Sequence, residues 1–297
     1  PMQFHDSSPN INTTEGSQSF NFSFTEPGFL SRDLSLSFSA FYTETTSQNR
    51  SFNTLDVGTR VGLGFPVSEF GRVNTYYGIE ENQISGLNAA NSSPILLTDQ
   101  GDRLKSYAGL QYAYDTRNTG LDTTRGVRLQ FGAEYAGLGG DADYLRATML
   151  AIGEQQVARE EVTLRASFEA GALETLDGNS RQSDRFFMSS RQMRGFDANG
   201  LGPRDLTVAN RDALGGNMFA VARFEASFPV GLPDEYGISG GVFYDVGSVW
   251  GLDNTNGGAV DDDIYWRQAV GVSVFWDTAI GPLRFNFSHP LEFPTYD

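Results

Sequence analysis

Cysteine is absent from the 297 residues, which excludes a disulfide framework, a thiolate metal site and a cysteine nucleophile. Histidine occurs twice, as His5 and His289 near opposite ends. That is too little for a multi-histidine metal centre and thin material for histidine-based catalysis. Lysine occurs once, as Lys105, so the 21 cationic side chains are almost all arginine. Positive charge is in deficit: 37 Asp+Glu leave a formal net charge of −16, which argues against nucleic acid as the main partner. No stretch approaches the roughly 18 uninterrupted apolar residues of a membrane helix. No basic-then-apolar leader follows Pro1, so a leader was removed or the chain is a piece of something longer.

Other residues are in excess. Glycine is 34 of 297, well above the usual ~7%, and aromatics reach 13% with 23 Phe and 12 Tyr. The mean hydropathy of −0.33 resembles that of a soluble protein. A transmembrane β-barrel gives a similar value, because only alternate residues meet lipid.

Helical periodicity is scarce and two-residue alternation is everywhere. Phe20, Phe22 and Phe24 alternate with Asn21, Ser23 and Thr25. Val127, Leu129, Phe131, Ala133 and Tyr135 alternate with polar or small residues, as do Val162, Leu164, Ala166 and Phe168. Val270, Val272, Val274 and Trp276 line one face of a further strand, and Leu283, Phe285 and Phe287 that of the next. About twelve strands are expected, near 17–26, 33–44, 51–65, 71–84, 103–115, 125–137, 142–157, 161–173, 215–229, 237–250, 266–278 and 281–289. Residues 17–297 read as one sheet system. Residues 1–16 are polar and atypical, with Ile11 to Thr14 suited to the end of a preceding strand. Tight connections such as Pro27-Gly28 and Gly281-Pro282 contrast with long polar ones at 85–102, 174–214 and 251–265.

Charges lie inside these strands, opposite the apolar face: Arg128, Glu134, Arg165, Glu169, Arg223 and Glu225. In a soluble sandwich such residues face bulk water; in a membrane barrel they face a wet lumen while the apolar face meets lipid. Alternation does not separate the two. Strand length favours the barrel, since several runs reach the ~9–11 residues that cross a bilayer. Phe29, Tyr42, Tyr76, Tyr77, Tyr114, Tyr135 and Trp250 are placed for interfacial girdles.

The long connection 174–214 needs a reason to exist. It holds Arg194-Gly195-Phe196, in which Gly195 would let the backbone approach a wall and Arg194 would seek a carboxylate on it. Two wall carboxylates stand out. Glu225 shares a strand face with Phe219, Val221 and Arg223; Asp245 lies opposite Val242, Tyr244 and Val246 on the next strand. A planar guanidinium suits such a pair because it donates in a bidentate fork.

Met193-Arg194-Gly195-Phe196 resembles the loop motif of the BamA superfamily of outer-membrane proteins, which includes assembly factors, TamA, two-partner-secretion transporters and a mitochondrial counterpart. Asn199-Gly200-Leu201-Gly202-Pro203-Arg204-Asp205 is similar to the assembly-factor style of that loop. Phe243 to Trp250 resembles the family's D-x-G-x-x-W strand, Gly281 to Phe287 its penultimate strand, and Phe24 to Phe29 an early turn. Met193 stands where the family usually has Val. The resemblance implies an all-β, antiparallel up-and-down transmembrane barrel in the outer membrane of a Gram-negative bacterium. It makes Arg194 the family's loop arginine, with Gly195 and Phe196 completing the tip and Glu225 and Asp245 as its luminal partners. It implies insertion and folding of outer-membrane β-barrel clients, with unfolded clients, accessory lipoproteins and outer-membrane lipid as partners, no nucleic acid, no cofactor, no metal and no enzymatic step. The family barrel has sixteen strands. The first are therefore expected to be missing or reduced to residues 1–16, the last to be missing beyond Leu291 to Asp297, and no POTRA domain reads out of this chain. An open edge in a bilayer would need the rest of the barrel or another chain to cover it. A secretion translocator of the same superfamily, a diffusion porin and a soluble sandwich remain the alternatives.

Several features read as ordinary. Asp253 and Asp261-Asp262-Asp263 lack the ligand spacing of a calcium loop and read as a solvated external loop. Asp115-Thr116-Arg117-Asn118 reads as a turn with a local ion pair, and Glu80-Glu81 point to opposite faces of a strand. No constellation suggests acid–base or nucleophilic catalysis.

Overall fold

In the computed structural model of the chain, residues 7–14, 17–46, 52–117, 125–158, 161–278 and 281–292 are described. His5, Asn118 and the tail 293–297 lie outside them. Thirteen strands occur among the described residues: β1 (Ser7–Thr14), β2 (Ser17–Glu26), β3 (Ser35–Thr46), β4 (Asn53–Pro66), β5 (Gly71–Ser85), β6 (Gly101–Asp115), β7 (Arg125–Gly140), β8 (Tyr144–Val157), β9 (Val162–Thr175), β10 (Met218–Pro229), β11 (Ile238–Trp250), β12 (Arg267–Thr278) and β13 (Gly281–Pro290). The twelve strands read from alternation are β2–β13, and β1 occupies the segment read as the end of a preceding strand. Each strand pairs antiparallel with the next in one sheet ordered as in the chain, and no ladder joins β1 to β13 among the described residues. A five-residue α-helix, α1 (Pro94–Thr98), sits between β5 and β6.

The sheet has two chemically different faces. Outside, Phe224, Val242, Val272 and Leu110 are roughly half exposed, and similar side chains recur on most strands. Inside, Tyr107, Tyr144, Val221 and Asp245 are buried among charged residues. An exposed apolar face wrapping a polar interior is the arrangement a bilayer demands and the reverse of a sandwich. The interior is held by directed bonds. The Tyr76 and Tyr144 hydroxyls donate to Glu134 at 3.0 and 3.1 Å, and Arg60 donates to the Tyr107 hydroxyl at 2.9 Å. Gly109 is small because the Tyr76 ring lies 2.4 Å from where its Cβ would be.

This removes Tyr76 from the girdle in which the sequence placed it. Tyr76 and Tyr77 are consecutive in a strand and must face opposite ways, so only Tyr77 points outward. At the short-turn end Tyr114 packs edge-on against Phe70, with ring centroids 6.3 Å apart.

Long connections gather at the other end. Segments 86–100, 176–217 and 251–266 pack there, with Phe52, Ile84, Ile95, Leu96, Leu214 and Val260 forming a common apolar cluster. Buried polar links tie the same segments. Arg181 donates from Nε to the Asp99 carbonyl at 2.7 Å and from Nη1 to the Asn82 carbonyl at 3.0 Å. Arg185 lies 3.6 Å from the Asp99 carboxylate. Burial raises the Asp99 carboxyl, against the opposing pull of Arg185. Asp253 is exposed, as expected of an external loop, but it is also tied down. Its carboxylate accepts from Thr175 Oγ1 at 3.0 Å, the Ser180 amide at 2.6 Å and Asn217 Nδ2 at 2.9 Å. Burial opposes its ionisation, but these bonds outweigh burial and hold the carboxyl below its ordinary value.

Candidate functional site

The connection 176–217 enters the lumen rather than lying over it. Its contacts reach Asn82 on β5, Arg103 on β6, Glu169 on β9, Glu225 on β10 and Asp245 on β11. One segment touches strands so far apart in the sheet only because the sheet curls around it. Arg103 Nη1 meets Asp184 at 2.5 Å near the mouth, and Gln192 Nε2 donates to Glu169 at 3.1 Å deeper in.

The tip is anchored by apolar packing. Met188, Met193 and Leu201 from the loop bury against Val221 of β10, Val249 of β11 and Ala269 of β12, with Phe196 packed at the edge of this cluster. The Met193 side chain is 1% exposed, which fits the apolar slot the motif demands. Gly195 turns the chain at φ +89°, where an L side chain is strained. A Cβ there would lie 3.3 Å from Ser288 Cβ and 3.5 Å from Ala269 Cβ, so the backbone rests on the wall made by β12 and β13.

With the backbone so placed, Arg194 spans two carboxylates. Its Nε donates to Asp245 Oδ2 at 2.7 Å, its Nη2 to Asp245 Oδ1 at 2.5 Å, and its Nη1 to Glu225 Oε2 at 2.7 Å. The Arg194 amide adds a bond to Asp245 Oδ2 at 3.2 Å. The guanidinium carbon lies over the Phe243 ring, 3.6 Å from its centroid. Asp245 is 0% exposed, and the side chains of Arg194 and Glu225 are 11% and 13% exposed. The five residues singled out in the sequence, Arg194, Gly195, Phe196, Glu225 and Asp245, therefore meet in one place.

Two participants in this contact were not singled out. Phe243 supplies the ring beneath the guanidinium. Arg284 on β13 also pairs with Glu225 and donates from Nε to Asn286 Oδ1 at 2.9 Å. Asp205, within the loop's second motif, accepts from Ser93 Oγ at 2.6 Å and Thr207 Oγ1 at 2.6 Å. Burial opposes ionisation of Asp205, but these hydrogen bonds prevail and lower its carboxyl. Arg284 had a detectable signal, since it sits on the polar side of an alternating strand. Its distance from Glu225 in sequence concealed the pairing.

The arrangement fixes geometry. A buried ion pair of this kind adds little net stability relative to apolar packing, yet losing one member leaves an uncompensated charge. Such a device holds one register of loop against wall.

Comparison with known proteins agrees with this architecture. A family profile for the Omp85 superfamily domain matches residues 7–297. The outer membrane protein assembly factor BamA of Neorickettsia risticii is 35% identical over 167 residues, 56% of this chain and 22% of that protein. BamA of Nitratidesulfovibrio vulgaris is 25% identical over 277 residues, 92% of this chain and 34% of that protein. The chain thus spans about a third or less of the length of these two relatives. A crystal structure of BamA from Haemophilus ducreyi lacking POTRA domains 1–3 superposes with a TM-score of 0.84 at 19% identity, covering 97% of this chain and 61% of that one.

Proposed function

The chain belongs to the Omp85 superfamily and is an integral protein of the bacterial outer membrane, and on that premise we propose that it inserts and folds other β-barrel proteins into that membrane. The observation that carries the reading is the Arg194 clamp. It presses the Gly195 tip against β12 and β13 while gripping β10 and β11. Loop and wall thereby form one rigid support beside the last described strands.

On this reading the work is done by backbone pairing. A client strand adds to an edge of the sheet by main-chain hydrogen bonds, as in β-augmentation. Burial of the client's apolar face and satisfaction of its backbone in lipid then drive insertion, without nucleotide hydrolysis. Unfolded barrel clients, accessory lipoproteins and outer-membrane lipid are the partners this requires. On this reading strands β2–β13 form the barrel unit, and β1 (Ser7–Thr14) is the strand that precedes them in the same sheet. The apolar plug of Phe52, Ile84, Leu96 and Leu214 across the long-loop end supports assembly over free diffusion of solutes through the lumen.

The test is client folding into vesicles, read by the electrophoretic mobility shift of a folded barrel. The wild-type chain is expected to accelerate a urea-unfolded client, and Arg194→Ala to slow it several-fold. Equal rates with and without the wild-type chain would overturn the reading.

A further inference from the structure

A cavity of about 320 Å³ lies beneath the Arg194 clamp, at the small end of the range for ligand pockets. Its walls are unusual for a chain of net charge −16. Arg165, Arg191, Arg194, Arg223 and Arg284 line it, with Glu225 the one carboxylate on its surface. Behind the walls, Arg165 pairs with Glu154 at 3.0 Å, Arg223 with Glu169, Arg284 with Glu225, and Arg194 with Glu225 and Asp245. Five guanidiniums thus face four carboxylates, and one positive charge is left over. The exposed Arg191 is the source of the excess: it pairs with no carboxylate among the described residues, while its carbonyl accepts from Arg223 Nη1 at 3.0 Å.

The cavity's position limits what can reach it. Arg165 lies near the start of β9 and Arg284 near the start of β13, both close to short turns. The pocket therefore sits in the half of the lumen towards the short-turn end, which in outer-membrane barrels faces the periplasm. It lies inside the sheet, away from the lipid-facing side chains. Ser190 and Asn286 add neutral hydrogen-bonding groups beside the cations.

We propose that this pocket binds a carboxylate carried by an extended polypeptide entering from the short-turn end. The single surplus charge matches a monoanion rather than a dianionic phosphate. The guanidinium forks match the two oxygens of a carboxylate. The neutral donors and acceptors suit the flanking peptide groups. The proposal rests on the assembly reading only for the origin of that polypeptide in a client; the pocket itself does not depend on it.

The experiment measures binding of a fluorescent octapeptide with a free C-terminal carboxylate, and of its C-terminal amide, to the full chain in neutral detergent micelles. The acid is expected to bind at least about tenfold more tightly than the amide, with the preference shrinking as salt rises. Arg191→Ala should abolish the preference and Arg191→Lys should restore part of it. Both substitutions are at an exposed loop position, and an unchanged mobility shift confirms folding of each. Equal binding of acid and amide, or a preference that survives in Arg191→Ala, overturns the proposal. Displacement of the acid by equimolar inorganic phosphate also overturns it, by showing a general anion site. A wild-type chain that prefers the acid yet fails to accelerate client folding supports the pocket and overturns only the assembly reading.

Discussion

At the scale of single residues, Glu225 and Asp245 look alike in the sequence and are unequal in the structure. Both are carboxylates on the polar faces of neighbouring strands, and the pattern offers no means of ranking them. Asp245 is fully buried and receives three bonds from Arg194, whereas Glu225 is shared with Arg284 across two intervening strands. Deleting the loop arginine therefore orphans Asp245 and leaves Glu225 a partner. Arg194→Ala is expected to destabilise the folded barrel by about 3–5 kcal/mol, the cost of breaking a buried pair. Adding Asp245→Asn should recover much of that loss, while adding Glu225→Gln should recover little. Urea midpoints of the folded chain in detergent check this. Equal rescue by the two second-site changes would show that Arg284 does not hold Glu225. The motif made Arg194 and its acids legible; the contributions of Phe243 and Arg284 come from curvature that brings β11 and β13 around the loop.

At the scale of elements, the strands were legible because most carry a run of two-residue alternation, as at Val127, Leu129, Phe131, Ala133 and Tyr135 within Arg125–Gly140. Loop contacts were not, because no period governs them. Asp253 shows the consequence: its tract reads as solvated acid, yet it ties the 251–266 segment to Thr175, Ser180 and Asn217. Because its folded carboxyl is held below the ordinary value, its stabilisation is fully present above the unfolded value near 4. That contribution is lost as pH falls through the lower folded value. Trp250 and Trp266, whose rings lie 6.1 Å apart, flank this segment and report on it. In a Trp276→Phe background their emission is expected to hold constant from pH 7 to about 4 and to change below it. Asp253→Asn should show the changed emission already at pH 7. A variant with the wild-type pH profile would assign the acid transition to other carboxylates.

At the scale of the whole molecule, the decision between sandwich and barrel turns on what the apolar face touches. Alternation was silent on this, and mean hydropathy pointed the wrong way, because a barrel averages a lipid face with a wet one. The structure separates the faces, and a matched pair of substitutions tests the solvent each one meets. Val272, in the middle of β12, and Val67, in the short turn between β4 and β5, are 50% and 52% exposed in the isolated chain. In water the two positions are equivalent, and arginine at either would change stability by no more than about 0.5 kcal/mol. In a bilayer they differ sharply. Val272→Arg places a charge near the midplane and is expected to cost about 2–4 kcal/mol, whereas Val67→Arg lies beyond the hydrocarbon and should be nearly neutral. Unfolding free energies in lipid vesicles supply the comparison. Equal, small effects at both positions would mean that Val272 faces water, and the outward apolar face would then need a protein partner instead of lipid.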